Sequence, residues 1–300
     1  MPTQQRPSRS RTGLSRGPKG FAGALLGLRL AVVGHVEWAD FVQVSRLPRT
    51  GEIVHASHHW EVPAGGGAVA AVQMADLVGE AALFTALGDD ELGHRAAVEL
   101  VAMGLDVRAV FRRRQPQRRV FVHVDRRAER TITVMGDRMG PRRRDRLGWD
   151  DLAEFDAVYF TAGDTGALRT ARRAPVLTST ARALETLRGS GVALDALVHS
   201  ARDVGERYRP GDLDPPPSLV ITTENRNGGR WLRAGDGRGR YAAATPPGPV
   251  VDTYGCGDVF AAGLTAGLAA GMPLSESLDL AARCGAWRAA GAGPHGRNVK

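Results

Sequence analysis

The sequence predicts an α/β fold: one doubly wound, mainly parallel sheet with helices on both faces. Short apolar runs at 30–33, 81–87, 157–161, 192–198 and 219–222 are separated by stretches of helical spacing, the alternation that marks βαβ units. The 300 residues are 43% hydrophobic, enough to bury one large core rather than two independent ones. Cys256 and Cys284 are the only cysteines, so a disulfide framework is excluded and a reducing cytoplasm is the expected compartment.

The formal net charge is +8, yet six of those charges are Arg6, Arg9, Arg11, Arg16, Lys19 and Arg29, in a start that holds no acid. Two remain for the rest, so the folded body is close to neutral and no nucleic-acid partner is expected for it. Residues 1–20, rich in Arg, Ser, Pro and Gly, read as disordered: a solvated tail or over-extended start, with a targeting or nucleic-acid-binding arm as the alternative. The predicted organisation is a disordered basic tail over 1–28 and one domain over 29–300. The apolar run 21–28 is too short to span a membrane, and no other segment approaches that length.

The strand over 30–33 ends at Gly34, and the 48–51 turn leads to an extended piece at 51–55. Glu37 and Asp40 lie between them, where an acid is either an ordinary loop residue or a ligand. Gly65, Gly66 and Gly67 open a helix reaching about residue 77, and bare backbone there lets a ligand or another chain segment approach closely; a tight strand-to-helix turn is the other reading. After the 81–87 strand, Asp89 and Asp90 suit the cap of a helix over 95–103. The runs 120–124 and 131–134 bracket a polar turn and read as a hairpin. Arginines at 112–114, 118–119 and 142–144 fit solvated faces or a cationic surface that favours an anionic substrate.

Between the Pro/Gly-rich segment 245–249 and the apolar run 259–270 stands Asp252-Thr253-Tyr254-Gly255-Cys256-Gly257-Asp258. A helix starts at or just after Gly257. Small residues there leave a helix N-terminus open to a phosphate. Asp258 beside such a site is either an ordinary first-turn acid or a base placed to take a proton from a phosphoryl acceptor. The last helix, 273–288, carries Leu274, Leu278, Ala281, Ala282, Gly285 and Ala286 on one stripe, with Cys284 beside it in the core.

The run 252–258, continued by Phe260, Ala262 and Gly263, resembles the D-T-x-G-x-G-D signature of the ribokinase/PfkB-type carbohydrate kinases, with Cys256 at a position usually held by Ala. Residues 64–71 resemble the family's glycine-rich first signature, with Ala70 or a neighbour where Asn is usual. The resemblance covers about 30–292. It implies a ribokinase-like sheet with a small β lid, its strands at about 36–60 and 118–136, and an ATP-dependent phosphotransferase moving the γ-phosphate to a hydroxyl of a sugar or sugar-like alcohol. Asp258 would be the base, with the N–H groups of Gly255, Cys256 and Gly257 on the transferring phosphoryl. Asp40, with Glu37 and the Gly65–Gly67 turn, would hold the acceptor. Thr222, Thr223, Gly228 and Gly229 would lie along ATP, although Glu224 stands where the family usually has Gly. Its N-x-x-E, associated with Mg²⁺-bound phosphates, is missing from 197–203, which leaves Asp203 or Glu206 to act through water. Asp252 and Thr253 are candidates for a monovalent cation such as K⁺, and a homodimer through the lid is expected. A nucleoside kinase stacking a base on Trp38 or Phe41, and a non-catalytic sugar- or nucleotide-binding module, are the alternatives.

Overall fold

The computed structural model describes residues 20–235 and 237–296. Its strands are β1 (Leu30–Val33), β2 (Glu37–Gln43), β3 (His58–Ala64), β4 (Ala81–Gly88), β5 (Leu105–Arg112), β6 (Arg119–Val124), β7 (Arg130–Met135), β8 (Ala157–Phe160), β9 (Val176–Thr180), β10 (Ala196–Ser200), β11 (Leu219–Thr223), β12 (Gly229–Arg233) and β13 (Arg238–Tyr241). The helices are α1 (Ala22–Leu25), α2 (Gly66–Val78), α3 (Glu91–Ala102), α4 (Thr165–Ala171), α5 (Leu184–Leu187), α6 (Cys256–Ala269) and α7 (Leu274–Ala289).

Nine strands form one sheet in the order β13-β12-β11-β10-β9-β8-β1-β4-β5. All its neighbours from β11 to β5 pair in parallel, and β12 and β13 extend it antiparallel. Because both faces are covered, β1 is apolar throughout: Leu30 and Val32 point into a core shared with α2, α6 and α7, and Ala31 and Val33 into a second core with α4 and α5. β3, β2, β6 and β7 form a separate four-stranded sheet, with β2 and β6 parallel in its middle. Among the described residues no helix is long and apolar enough to cross a membrane.

The structure differs from the sequence expectations in several places. No strand forms over 51–55; the strand starts at His58, where pairing with β2 begins. Glu37 and Asp40 belong to that partner strand and not to a loop, because β2 carries on almost directly from β1 and finds β3 and β6 on either side. β5 and β9 were not foreseen, their patterns being broken by charge and by Thr and Ser. α3 begins at Glu91, with Asp90 accepting the Gly93 N–H as its cap. Residues 20–28 of the expected tail belong to the folded body, where Leu25 is buried and Phe21 and Leu28 pack on the core; residues 1–19 lie outside the described residues.

Candidate active site

Gly255 takes a positive φ of 75° immediately before α6, and a Cβ there would come within 2.9 Å of Val69 on α2. This glycine lets the 252–258 loop turn tightly into the helix beside the N-terminal end of α2. The N–H groups of Gly255 and Gly257 have no acceptor among the described residues, that of Cys256 reaches the Thr253 carbonyl only at 3.5 Å, and space beside Gly257 is open. Two donors at the positive end of a 14-residue helix, the N–H groups of Gly255 and Gly257, are therefore left without an intramolecular acceptor. Burial pushes the Cys256 thiol upward in pKa, so it stays protonated and is no nucleophile at neutral pH.

Asp258 stands in the first turn of α6, against the second glycine of the 65–67 turn: a Cβ on Gly66 would lie 2.7 Å from its Oδ1. Burial raises the Asp258 pKa to about 6, Arg182 opposes the rise, and the negative charges of Glu206 and Glu37 add to it. Such a carboxyl is ionised at neutral pH and still basic enough to take a proton. The Gly65 N–H donates to the Tyr254 hydroxyl at 3.4 Å, tying the two glycine segments together.

Glu37 reaches this site. Its Oε1 accepts from Arg118 Nε at 2.6 Å and lies 3.6 Å from His35 Nε2. Burial, with the charges of Arg138, Arg118 and Arg182, holds His35 well below its ordinary pKa, so it is neutral. Asp40 does not reach the site. Positions 37 and 40 are three apart on β2 and so fall on opposite faces of the small sheet. Asp40 pairs with Arg119 at 3.0 Å and clusters with His59 and Glu61, and Arg95, which pairs with Glu61, covers the Trp38 ring. Of the two acids expected at the acceptor, the structure brings Glu37 beside the Gly65–Gly67 turn and sets Asp40 on the other face with Arg119. Trp38 and Phe41 are both buried, Phe41 stacked on Trp60 and edge-on to Tyr254, so neither offers a face to a base.

Asp252 is engaged on both oxygens. Oδ1 accepts from the Tyr254 N–H at 2.8 Å, and Oδ2 accepts from Arg288 at 3.0 Å and the Gly293 N–H at 3.1 Å. Arg288, whose side chain is 2% exposed, also donates to the Gly291 carbonyl, and Arg130 on β7 holds both oxygens of Thr253. Guanidinium groups thus stand where the sequence suggested K⁺, and this donor set does not fit a second cation. Asp203 and Glu206, the expected substitutes for N-x-x-E, both hold Arg182, whose charge in turn reaches Asp258. Thr222 bonds His199 and Thr223 bonds the His199 carbonyl. Gly228 and Gly229 are required by packing at the β11–β12 turn, since a Cβ on either would strike backbone at 2.0–2.2 Å.

The pfkB family carbohydrate kinase model matches residues 28–208 and 215–296. The chain belongs to this family. It is 30% identical over 283 residues to the ATP-dependent ribose-1-phosphate kinase of Halopiger xanaduensis, covering 86% of this chain and 91% of that protein. It is 43% identical over 99 residues, a third of either chain, to the acarbose 7(IV)-phosphotransferase of an Actinoplanes species. The ribokinase of Arabidopsis thaliana, solved with ribose and ATP, superposes with a TM-score of 0.68 at 18% identity, over 89% of this chain and 94% of that one. The chain is therefore an ATP-dependent carbohydrate kinase with a ribokinase-like fold.

Within this pfkB family kinase, the residues that sequence reading passed over include the arginines Arg130, Arg182 and Arg288, while Arg118 was read only as part of a solvated or cationic surface. Of the three, Arg288 left a local signal. It continues the spacing of the buried stripe through Ala281 and Gly285, where a charge demands a partner.

Proposed function

We propose that the 252–258 turn is the phosphoryl-transfer site and that Asp258 is the base that takes the proton from the acceptor hydroxyl. The single observation carrying this reading is a carboxyl with a pKa raised to about 6 at the helix N-terminus where the Gly255 and Gly257 N–H groups are left without an acceptor. The hydroxyl oxygen, losing its proton to Asp258, attacks the γ-phosphorus of ATP, and the bond to the β-phosphate oxygen breaks to release ADP. The N–H groups of Gly255, Cys256 and Gly257 would hold the charge on the transferring phosphoryl. Glu37 and the Gly65–Gly67 turn would orient the acceptor. The nucleotide would lie towards β11 and β12, near Thr222, Thr223, Gly228 and Gly229.

Asp203 and Glu206 are both engaged by Arg182, so Mg²⁺, which keeps several waters of its own, would meet them only through those waters while it neutralises charge on the phosphates. The exposed strand β7, at the free edge of the small sheet with Ile132, Val134 and Met135 accessible, supports a dimer through the lid. A cytoplasmic location is supported by the two free cysteines.

The named acceptors of the two relatives differ, one carrying a phosphate, so the acceptor here is taken as a sugar or sugar-like alcohol. ADP release with Mg-ATP across neutral sugars, sugar acids, sugar phosphates and nucleosides tests the proposal. Acceptor-dependent release is expected, and its absence from a folded, ATP-binding protein refutes catalysis and leaves a binding module.

A further inference from the structure

On the face of the small sheet opposite Glu37, β2 and β3 bring two acids and a histidine together. Asp40 pairs with Glu61 across the antiparallel ladder, and Val42 with His59. Residues 59 and 61 are two apart on one strand and so share a face, and cross-strand partners share it with them. One ligand atom from each of Asp40, His59 and Glu61 lies within 4.8 Å of the other two.

Two carboxylates directly opposite each other repel unless positive charge stands beside them. Arginines supply part of it. Arg119 donates to Asp40 Oδ2 at 3.0 Å, and Arg95 donates to Glu61 Oε2 at 3.0 Å. Asp40 is only 4% exposed, yet among the described residues its Oδ1 accepts no hydrogen bond, Glu61 Oε1 is equally free, and the His59 ring has no partner.

The two arginines are not held alike. Arg95 also donates to Glu99 at 2.8 Å and covers the Trp38 ring at 4.5 Å, so it stays in place. Arg119 has Asp40 as its one ion-pair partner among the described residues, and its side chain is 46% exposed, so it can turn into water at little cost. With both arginines in place the paired charges are Asp40, Glu61 and Glu99 against Arg95 and Arg119, a net charge of −1. Turning Arg119 out leaves −2, which matches one divalent ion. Asp252 differs, because both its oxygens are taken and its guanidinium partner is 2% exposed.

An imidazole with two carboxylates suits a borderline divalent ion such as Zn²⁺, whereas Mg²⁺ and Ca²⁺ take oxygen ligands. Three protein ligands and one water complete a tetrahedral set with ligand atoms about 3.4 Å apart. The exposed His59 and half-buried Glu61 can close that distance while Asp40 stays anchored. We propose that Asp40, His59 and Glu61 bind one divalent transition-metal ion of the Zn²⁺ class in exchange for Arg119. The ion is separate from the Mg²⁺ that accompanies ATP and takes no part in phosphoryl transfer. It ties β2 to β3, and so braces the strand that carries Glu37 on its other face.

The test uses the full chain without an affinity tag, freed of metal by chelator and dialysis. Zinc chloride and, separately, magnesium chloride are titrated calorimetrically into the parent, His59→Ala, Asp40→Asn and Arg119→Met, and each protein is melted in EDTA and in excess Zn²⁺. One Zn²⁺ per chain should bind the parent at micromolar or lower concentration, at least about tenfold more tightly than Mg²⁺. His59→Ala and Asp40→Asn should each weaken Zn²⁺ at least about tenfold and remove most of the rise in melting temperature that Zn²⁺ gives the parent. His59 is exposed, so its truncation reads ligation without disturbing the core. Arg119→Met should bind Zn²⁺ more tightly than the parent, because the competing cation is gone, and should melt lower than the parent in EDTA but recover in Zn²⁺. No saturable Zn²⁺ binding by the parent overturns the site, as does binding that survives unchanged in both His59→Ala and Asp40→Asn. Mg²⁺ held as tightly as Zn²⁺ removes the role of the imidazole and overturns it too. Weaker binding by Arg119→Met refutes the exchange.

Discussion

Asp258→Asn separates the chemical from the structural consequences of one carboxyl. The substitution keeps the shape of the side chain and removes the base, so kcat should fall by about 10²- to 10⁴-fold. Stability should move the other way. A folded pKa raised from 3.8 to about 6 means that the folded protein holds this proton more tightly than the unfolded chain does. Stability is therefore lost as pH rises through that window, reaching at most about 3 kcal/mol above pH 6 for a group in protein surroundings. Asn carries no such charge, so the variant should be about 1–3 kcal/mol more stable than the parent at pH 7.5, with the difference shrinking towards pH 4. In the parent, kcat/KM for the acceptor should drop about tenfold per pH unit below 6 and level off above it. ADP release between pH 5 and 8, paired with urea unfolding at pH 5 and 7.5, reads both effects. A variant keeping more than about a tenth of the parent rate, or a parent profile flat across pH 5 to 7, refutes the base assignment.

Two further predictions concern the acids and cations around it. Glu37→Gln should lower kcat/KM by about ten- to a hundredfold, the range expected when hydrogen bonds to a charged group are lost. It should also move the acidic limb below pH 6, because the Glu37 charge helps raise the Asp258 pKa. Asp40→Asn, on the opposite face of β2, should change kcat/KM by no more than about threefold; the reverse ranking in matched pH profiles would put Asp40 on the acceptor. Replacing KCl by choline chloride should leave the parent rate within about twofold, since Arg288 already neutralises Asp252. Arg288→Met should cost about 3–5 kcal/mol by stranding a buried carboxylate, read as a lower melting temperature. A parent that requires K⁺ contradicts the Asp252 geometry.

The parts of this protein legible in the sequence are those that local pattern dictates. Continuous apolar runs such as 30–33 and 81–87 require burial on both faces, which only a covered parallel sheet provides. The sequence 252–258 likewise fixes a glycine turn, a helix N-terminus and an acid in its first turn, all within seven residues. Which acid meets Asp258 was not local information. It depends on residue 37 lying in a strand whose alternation sends Asp40 to the far face, and that strand exists only because β3 and β6 pair with it. The arginines were equally hidden, since solvated surface is the ordinary fate of such residues. Arg118, Arg138 and Arg182 reach the site from the lid and from the end of β9, while Arg130 and Arg288 brace the 252–253 turn from β7 and α7. Charges act through space over a few ångströms, so tertiary structure alone, bringing together segments up to about a hundred residues and more apart, decided the electrostatics of the site.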